Sequence, residues 1–100
     1  MTIAELTERM HDFVRSKGWY EPDSPKQQTP RNLAISLSIE INEILELFQW
    51  GDSADPEKLK LELADVTLYL LQLASISGID LEGAVLEKLK INASRTWKET

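Results

Sequence analysis

Residues 61–76, LELADVTLYLLQLASI, place leucine, valine or isoleucine in every sector of a helical wheel. A helix that is apolar all round is stable when other helices surround it. A chain of 100 residues offers few such neighbours of its own, because small domains bury a limited core. The stretch therefore predicts an all-α bundle of helices that self-association completes.

Four carboxylates interrupt the apolar faces of the predicted helices. Glu40 and Glu43 form one pair, and Glu62 and Asp65 form the second. Because residues three apart share a helix face, each pair can converge on one point. A buried carboxylate needs a proton, a cation or a metal. The alternative is four solvated acids that pair with lysine or arginine, but few basic residues lie near them in sequence.

The chemistry of the donor atoms restricts the kind of metal. Carboxylate oxygens without histidine or cysteine suit Mg²⁺ or Mn²⁺ and disfavour zinc. Mg²⁺ usually keeps waters or recruits phosphate oxygens instead of sitting in an all-protein cage. Lys88 and Arg95, which share an arc of one predicted helix with Asn92, could hold anionic oxygens. The residues alone therefore predict a metal-dependent hydrolase of a phosphoanhydride.

Start and stop signals divide the chain into four helices. Thr2 and Glu5 form a capping box, and Thr29 and Asp55 each precede a proline. Gly78 provides a left-handed C-cap. We expect residues 96–100 to fray. The predicted helices are 3–17, 30–50, 56–77 and 81–95, in one domain over residues 1–100.

Composition and charge exclude several classes of function. The formal net charge of −6 argues against binding to nucleic acid or to an anionic membrane. The absence of cysteine excludes disulfides and thiolate chemistry. The N-terminus lacks the apolar segment of a signal peptide, so we expect a cytoplasmic protein. The sole histidine, His11, lies on the polar side of helix one, and we expect it at the surface.

Four blocks of the sequence occur in a recognisable order and spacing. They are Thr29-Pro-Arg-Asn-Leu33, Glu40-Ile-Asn-Glu43-Ile-Leu-Glu46-Leu-Phe-Gln-Trp50, Glu62-Leu-Ala-Asp65-Val with Tyr69, and Gly78-Ile-Asp-Leu81 with Lys88, Asn92 and Arg95. Together they resemble the MazG-like nucleoside triphosphate pyrophosphohydrolases of the all-α NTP pyrophosphatase superfamily, over roughly residues 13 to 97. The resemblance implies a four-helix MazG-like bundle, completed by dimerisation or a higher oligomer, that cleaves between the α- and β-phosphates with Mg²⁺. A role in nucleotide-pool house-cleaning would follow.

The resemblance also implies roles for individual residues. The metal ligands that it implies are Glu40, Glu43, Glu62 and Asp65. Our own hypothesis is that these acids form the catalytic set with Glu46, and that Glu43 or Glu46 accepts the proton of the attacking water. The predicted substrate-binding residues are Trp19, Trp50, Tyr69, Lys88, Asn92 and Arg95.

Other readings of the aromatic residues stay open. Trp50 and Tyr69 could equally fill the core, and Trp19 could pack the loop. Gln28 stands where several relatives carry a histidine near the base, and Asn42 replaces a commonly small residue. The resemblance therefore leaves the preferred base open.

Two rival functions also stay open. One is a phosphoribosyl-ATP pyrophosphohydrolase-like enzyme, although the segment Phe48-Gln49-Trp50 and the single-domain layout favour the nucleoside triphosphate branch. The other is a non-catalytic helical dimerisation module whose acids serve solubility or partner recognition. That module predicts no pyrophosphate release from any nucleotide and no thermal shift with Mg²⁺.

Overall fold

A computed structural model of the chain describes residues 1–95, which form four helices and no strand. The prediction of an all-α fold is confirmed. Residues 96 and 97, where the resemblance ends, and the whole segment 96–100 that we expect to fray lie outside the described residues. The helices are α1 (Ile3–Ser16), α2 (Pro30–Leu47), α3 (Pro56–Ile76) and α4 (Leu81–Ser94).

Side-chain caps begin all four helices where the sequence predicts them. The capping box is complete, since Thr2 Oγ1 accepts from the Glu5 N–H at 3.1 Å and the Thr2 N–H donates back to the Glu5 carboxylate. Gly78 directly follows the C-cap of α3, Ser77. Its φ of 70° is a left-handed conformation that favours glycine. The remaining N-cap residues are Thr29, Asp55 and Asp80.

Helix α2 ends three residues before its predicted end at Trp50. The N–H of Phe48 donates to Leu45 O and that of Gln49 donates to Glu46 O. These three-residue bonds satisfy the last carbonyls of the helix by tightening its final turn. Trp50 consequently lies in the turn after α2 and not on the helix.

Helix α3 lies at the centre of the described structure. It packs along α2 and against α1, whereas α4 touches it only lightly. The buried apolar side chains come from α1, α2 and α3, and none comes from α4. They are Met10, Val14, Leu33, Leu71 and Ala74. The core of the single chain is therefore small and placed on one side of α3.

Large apolar side chains are exposed on both α3 and α4. Leu61 is 61% exposed, and Leu86 and Leu89 are 63% and 60% exposed. The radius of gyration is 16.2 Å, whereas a compact domain of this length is expected near about 13 Å. The helix that the sequence predicts to be surrounded is thus only partly covered within one chain.

Within residues 1–95, the helices are too short or too polar for any of them to cross a membrane.

Candidate metal centre and adjoining cavity

Three of the four predicted acids converge at the contact between α2 and α3. Glu40, Glu62 and Asp65 each offer one carboxylate oxygen, and these oxygens lie within 4.8 Å of one another. Glu40 and Glu62 are half-buried, whereas Asp65 is exposed. Their helices meet there because the turn after α2 brings α3 back alongside it. The predicted convergence of the two acidic pairs is therefore present for these three residues.

Burial, together with the neighbouring carboxylates, raises the pKa values of two of the acids. Burial, followed by repulsion from Glu43 and Asp65, raises the pKa of Glu40 from 4.5 to about 7. The pKa of Glu62 is also raised, first by burial and then by its neighbour Glu43. Removing carboxylates from water and placing them beside each other both disfavour the ionised form. The cluster therefore favours any ligand that supplies positive charge.

The remaining two acids of the predicted set have different surroundings. Glu43 is half-buried and lies close enough to Glu40 and Glu62 to affect both. Glu46 is exposed, and its carboxylate accepts from Asn42 Nδ2 at 3.4 Å. Glu43 thus borders the cluster, and Glu46 lies farther toward solvent.

The side chains present fit a hard divalent cation. The Oε2 atoms of Glu40 and Glu62 are buried and accept no hydrogen bond. A buried acceptor without a partner is costly, and a metal ion satisfies it. The ion pairs among the described residues, Arg15 with Asp12 and Lys60 with Glu57, involve none of the four acids. An all-oxygen donor set of this kind suits Mg²⁺ or Mn²⁺.

Titration of this cluster predicts how the stability of the metal-free protein depends on pH. Because the folded-state pKa of Glu40, about 7, exceeds 4.5, the folded state binds more protons than the unfolded state between these values. The free energy of unfolding should therefore fall as the pH rises through that window. Since a divalent cation competes with those protons, the rise in Tm on adding Mg²⁺ should be larger at pH 8 than at pH 5.

Thermal melts at the two pH values, with and without Mg²⁺, measure both effects. NaCl at matched ionic strength controls for screening of surface charge. A stabilisation by Mg²⁺ that is equal at pH 5 and pH 8 contradicts proton competition at this cluster.

A cavity of about 670 Å³ adjoins the acids. Its walls come from α1, the loop between α1 and α2, and facing parts of α2 and α3. Asp65 belongs both to the cavity wall and to the acid cluster. Aliphatic side chains and the cationic Arg9 and Lys26 line much of the remainder. Its aromatic and amide members include Phe13, Trp19, Tyr69, Gln28 and Gln72. A flat, amphipathic ligand in this cavity would lie beside the acids.

The loop that closes the cavity is held by aromatic contacts. The rings of Phe13 and Trp19 meet edge to face, with centroids 5.7 Å apart. The Lys26 ammonium lies 5.1 Å from the centre of the Trp19 ring, a favourable cation–π distance. Trp19 therefore packs the loop and also lines the cavity.

The prediction that His11 lies at the surface is wrong. His11 is buried between α1, the following loop and α3. Its Nδ1 is 2.6 Å from the Tyr20 hydroxyl, and its Nε2 is 2.7 Å from Ser75 Oγ. These two partners satisfy both ring nitrogens, so the polar ring is stable inside the fold. A sequence signal existed, because His11 shares a helix face with the buried Val14.

The predicted substrate-binding residues fall into two groups. Trp19 and Tyr69 line the cavity. Trp50 does not line it and is 91% exposed, so within one chain it does not fill a core. Lys88, Asn92 and Arg95 are on α4 or directly after it and do not line the cavity. The roles of all six residues stay predictions.

Sequence reasoning missed two polar residues of the cavity region. Gln72 lines the cavity and is buried, and Tyr20 lies behind it with its hydroxyl bonded to the Gln72 amide. Burial raises the pKa of Tyr20 above its ordinary value of 10.0. A polar Gln72 in the otherwise apolar run 68–74 was the available signal.

Residues 35–99 match the model of the MazG-like family. The chain is 36% identical to dCTP pyrophosphatase 1 of Homo sapiens over 94% of this chain and 58% of that protein. It is 33% identical to the dATP/dGTP diphosphohydrolase of Cyanophage S-2L, over 96% and 78% of the two chains. The chain thus spans less than two thirds of the human relative.

The fold is similar to a solved structure, a pyrophosphatase from Archaeoglobus fulgidus. The TM-score is 0.77 at 38% identity, over 95% of this chain and 92% of that one. An all-helical neighbour at this coverage agrees with the four helices described above.

Proposed function

We propose, since the chain belongs to the MazG-like family, that it hydrolyses (deoxy)nucleoside triphosphates to monophosphate and pyrophosphate in the presence of Mg²⁺. One observation carries the proposal. Three acids with oxygens within 4.8 Å of one another adjoin an aromatic-lined cavity of about 670 Å³. Relatives named for dCTP and for dATP and dGTP support deoxynucleotides as substrates. The biological role would be house-cleaning of the nucleotide pool.

Glu40, Glu62 and Asp65 would hold Mg²⁺ or Mn²⁺, with Glu43 beside them. When bound, the ion supplies positive charge for phosphate oxygens and lowers the pKa of a bound water. Glu43 or Glu46 would accept the proton of the attacking water, which requires an ionised carboxylate. Glu46 is exposed and accepts one hydrogen bond, so it is open to solvent.

The cavity would hold the base and sugar of the substrate. Phe13, Trp19 and Tyr69 offer aromatic surface, and base–aromatic stacking contributes about 1–3 kcal/mol per base. Asp65 lies where the cavity meets the acids, so a nucleotide with its base in the cavity would direct its phosphates toward them. Exclusion of water from the base and exposure of the phosphates to the acids would then occur together.

A homodimer or homotetramer would complete the site. Leu86 and Leu89 on α4 are apolar side chains that stay 63% and 60% exposed in the part of the chain that the structure describes. Lys88, Asn92 and Arg95 belong to the same region of the chain. Packing of α4 against a second copy would bury the leucines and could bring these polar residues, and the exposed Trp50, toward a triphosphate.

Pyrophosphate release in the presence of Mg²⁺ tests the proposed reaction. The panel contains the canonical and modified (d)NTPs together with phosphoribosyl-ATP. We expect equal amounts of monophosphate and pyrophosphate from at least one dNTP, and no product when EDTA removes the metal. Cleavage of phosphoribosyl-ATP alone would instead favour the phosphoribosyl-ATP pyrophosphohydrolase-like reading.

A negative result across the panel also has a definite meaning. No pyrophosphate from any nucleotide and no change in Tm with Mg²⁺ would favour the non-catalytic helical dimerisation module. Orthophosphate as the first product would contradict cleavage of the α–β bond.

A further inference from the structure

A continuous chain of hydrogen bonds joins α3 to the loop that lines the cavity. Ser75 Oγ is 2.7 Å from His11 Nε2, and His11 Nδ1 is 2.6 Å from the Tyr20 hydroxyl. Gln72 Nε2 donates to the Tyr20 hydroxyl at 3.2 Å and to Gln28 Oε1 at 2.8 Å. Gln28 Nε2 in turn donates to the carbonyl of Lys26 at 2.6 Å.

The Lys26 carbonyl fixes the orientation of both amides. A carbonyl only accepts hydrogen bonds, so Gln28 must direct its nitrogen toward it. Gln28 Oε1 therefore faces Gln72, and Gln72 must direct its own nitrogen toward that oxygen. An amide that turned over would place two oxygens or two nitrogens together, and the pair would lose both bonds.

The other end of the chain uses the second N–H of Gln72. Since the Tyr20 oxygen accepts from Gln72, we assign its proton to the contact with His11 Nδ1. In that tautomer His11 carries its own proton on Nε2 and donates it to Ser75 Oγ. Gln72 thus donates both of its N–H groups to protein partners, Tyr20 and Gln28. Among the described residues its Oε1 accepts no bond, so the hydrogen-bonding capacity left on Gln72 is that of an acceptor.

The cavity wall therefore offers a defined pattern. Gln72 contributes an acceptor, and Gln28 keeps one N–H beyond the one it gives to Lys26. Cytosine and adenine carry an amino donor beside an unprotonated ring nitrogen, which complements this pattern. Uracil, thymine, guanine and hypoxanthine carry a keto acceptor beside a ring N–H, which is the reverse. With the base oriented by its phosphates at the acids, a freely rotating glutamine could serve both classes, whereas this fixed pair serves one.

We propose that Gln72, together with Gln28, is the specificity determinant of the cavity and selects nucleotides whose base carries an amino group at C4 of a pyrimidine or C6 of a purine, as cytosine and adenine do, with Tyr20 and His11 as positioning residues. The inference rests on the proposed function, because it assumes that the cavity binds the base. Both glutamines line the cavity, with Phe13, Trp19 and Tyr69 as its aromatic surface. Mismatched polar groups in such a wall should cost about 10- to 100-fold in kcat/KM.

Two matched substrate pairs isolate the amino group. dCTP and dUTP differ in an amino or keto group on the pyrimidine, and dATP and dITP differ in the same way on the purine. We expect wild-type protein to favour the amino member of each pair by about 10-fold or more in kcat/KM, mainly through KM. Gln72→Leu should bring both ratios close to one.

Tyr20→Phe tests the positioning role. It removes the hydroxyl that holds one N–H of Gln72 but leaves the Lys26 anchor, so the ratios should fall only in part and kcat for dCTP should change little. Gln49→Leu, an exposed amide outside the cavity, is the matched control and should leave the ratios unchanged. A purely structural loss would lower kcat/KM for both members equally.

An active Gln72→Leu protein with wild-type ratios would overturn the inference, as would a wild-type preference for the keto bases. If Gln72→Leu does not fold, Gln28→Leu in the loop carries the same expectation. If no nucleotide is hydrolysed, the proposed function fails separately. The rise in Tm with dCTP compared with dUTP then tests the pocket alone, where a larger rise with dCTP supports the inference and equal rises overturn it.

Discussion

Replacement of Glu40 by glutamine should lower Mg²⁺-dependent turnover more than about 100-fold, since loss of supporting residues around a metal already costs about 10- to 100-fold. The substitution keeps the volume of the side chain and removes its charge. At pH 8, the metal-free variant should be at least as stable as the wild type. Glu40 Oε2 is buried without a hydrogen-bond partner and is repelled by Glu43 and Asp65, so the charge destabilises the fold there.

The effect of this substitution on the stability of the metal-free protein should depend on pH, which distinguishes it from the loss of turnover. At pH 5 Glu40 is largely protonated, because its pKa is raised to about 7, and the stability advantage of the amide should vanish. Thermal melts with and without Mg²⁺ and pyrophosphate release measure both quantities. Glu57→Gln is the matched control, since Glu57 is an exposed acid on α3 outside the cluster. Full turnover by Glu40→Gln would remove this residue from the metal site.

The helix starts were predictable because their signals are local. Thr2, Thr29, Asp55 and Asp80 each cap a helix through an N–H only two or three residues away. The end of α2 was harder to predict, because no glycine or proline stops the run before Gly51. Its final turn tightens through hydrogen bonds between backbone groups alone, and no residue type in the sequence indicates where such a turn forms.

The acid cluster was predictable for a related reason. Spacing within each helix fixes which acids share a face, and a short turn makes α2 and α3 neighbours. The burial of His11 and Gln72 depends instead on distant partners. His11 meets Ser75 across 64 residues, and Gln72 meets Gln28 across 44 residues. From local sequence alone, a polar side chain is predicted to lie at the surface, because the distant partners that satisfy it when it is buried are not visible there.

The exposed apolar surface of α4 predicts that the chain self-associates through this helix. No residue of α4 is buried, although Val85, Leu86, Leu89 and Ile91 are large and apolar. Full burial of one such side chain contributes about 1.5–3 kcal/mol, so packing of this helix against a second copy of the chain would be favourable. An amphipathic helix that is left uncovered is seldom stable alone at this length.

Leu86→Lys should therefore convert a dimer into a monomer at micromolar concentration. A charged side chain cannot leave water without a partner, so the variant loses the apolar contact and adds a desolvation cost. We expect Tm to fall by several degrees, at about 4–8 °C per kcal/mol for a domain of this size. Turnover should fall at least about tenfold if α4 of an assembled oligomer carries the residues that face the triphosphate.

Glu87→Lys provides the matched control, because it places the same lysine at the next position of α4, where the wild type is already charged and exposed. Light scattering and pyrophosphate release on both variants separate loss of assembly from a general effect of added charge. Dilution of the wild type should lower its turnover per chain in step with its mean mass, since mass action links assembly to the completed site. A wild-type monomer with full turnover at micromolar concentration would show that α4 acts without a second copy.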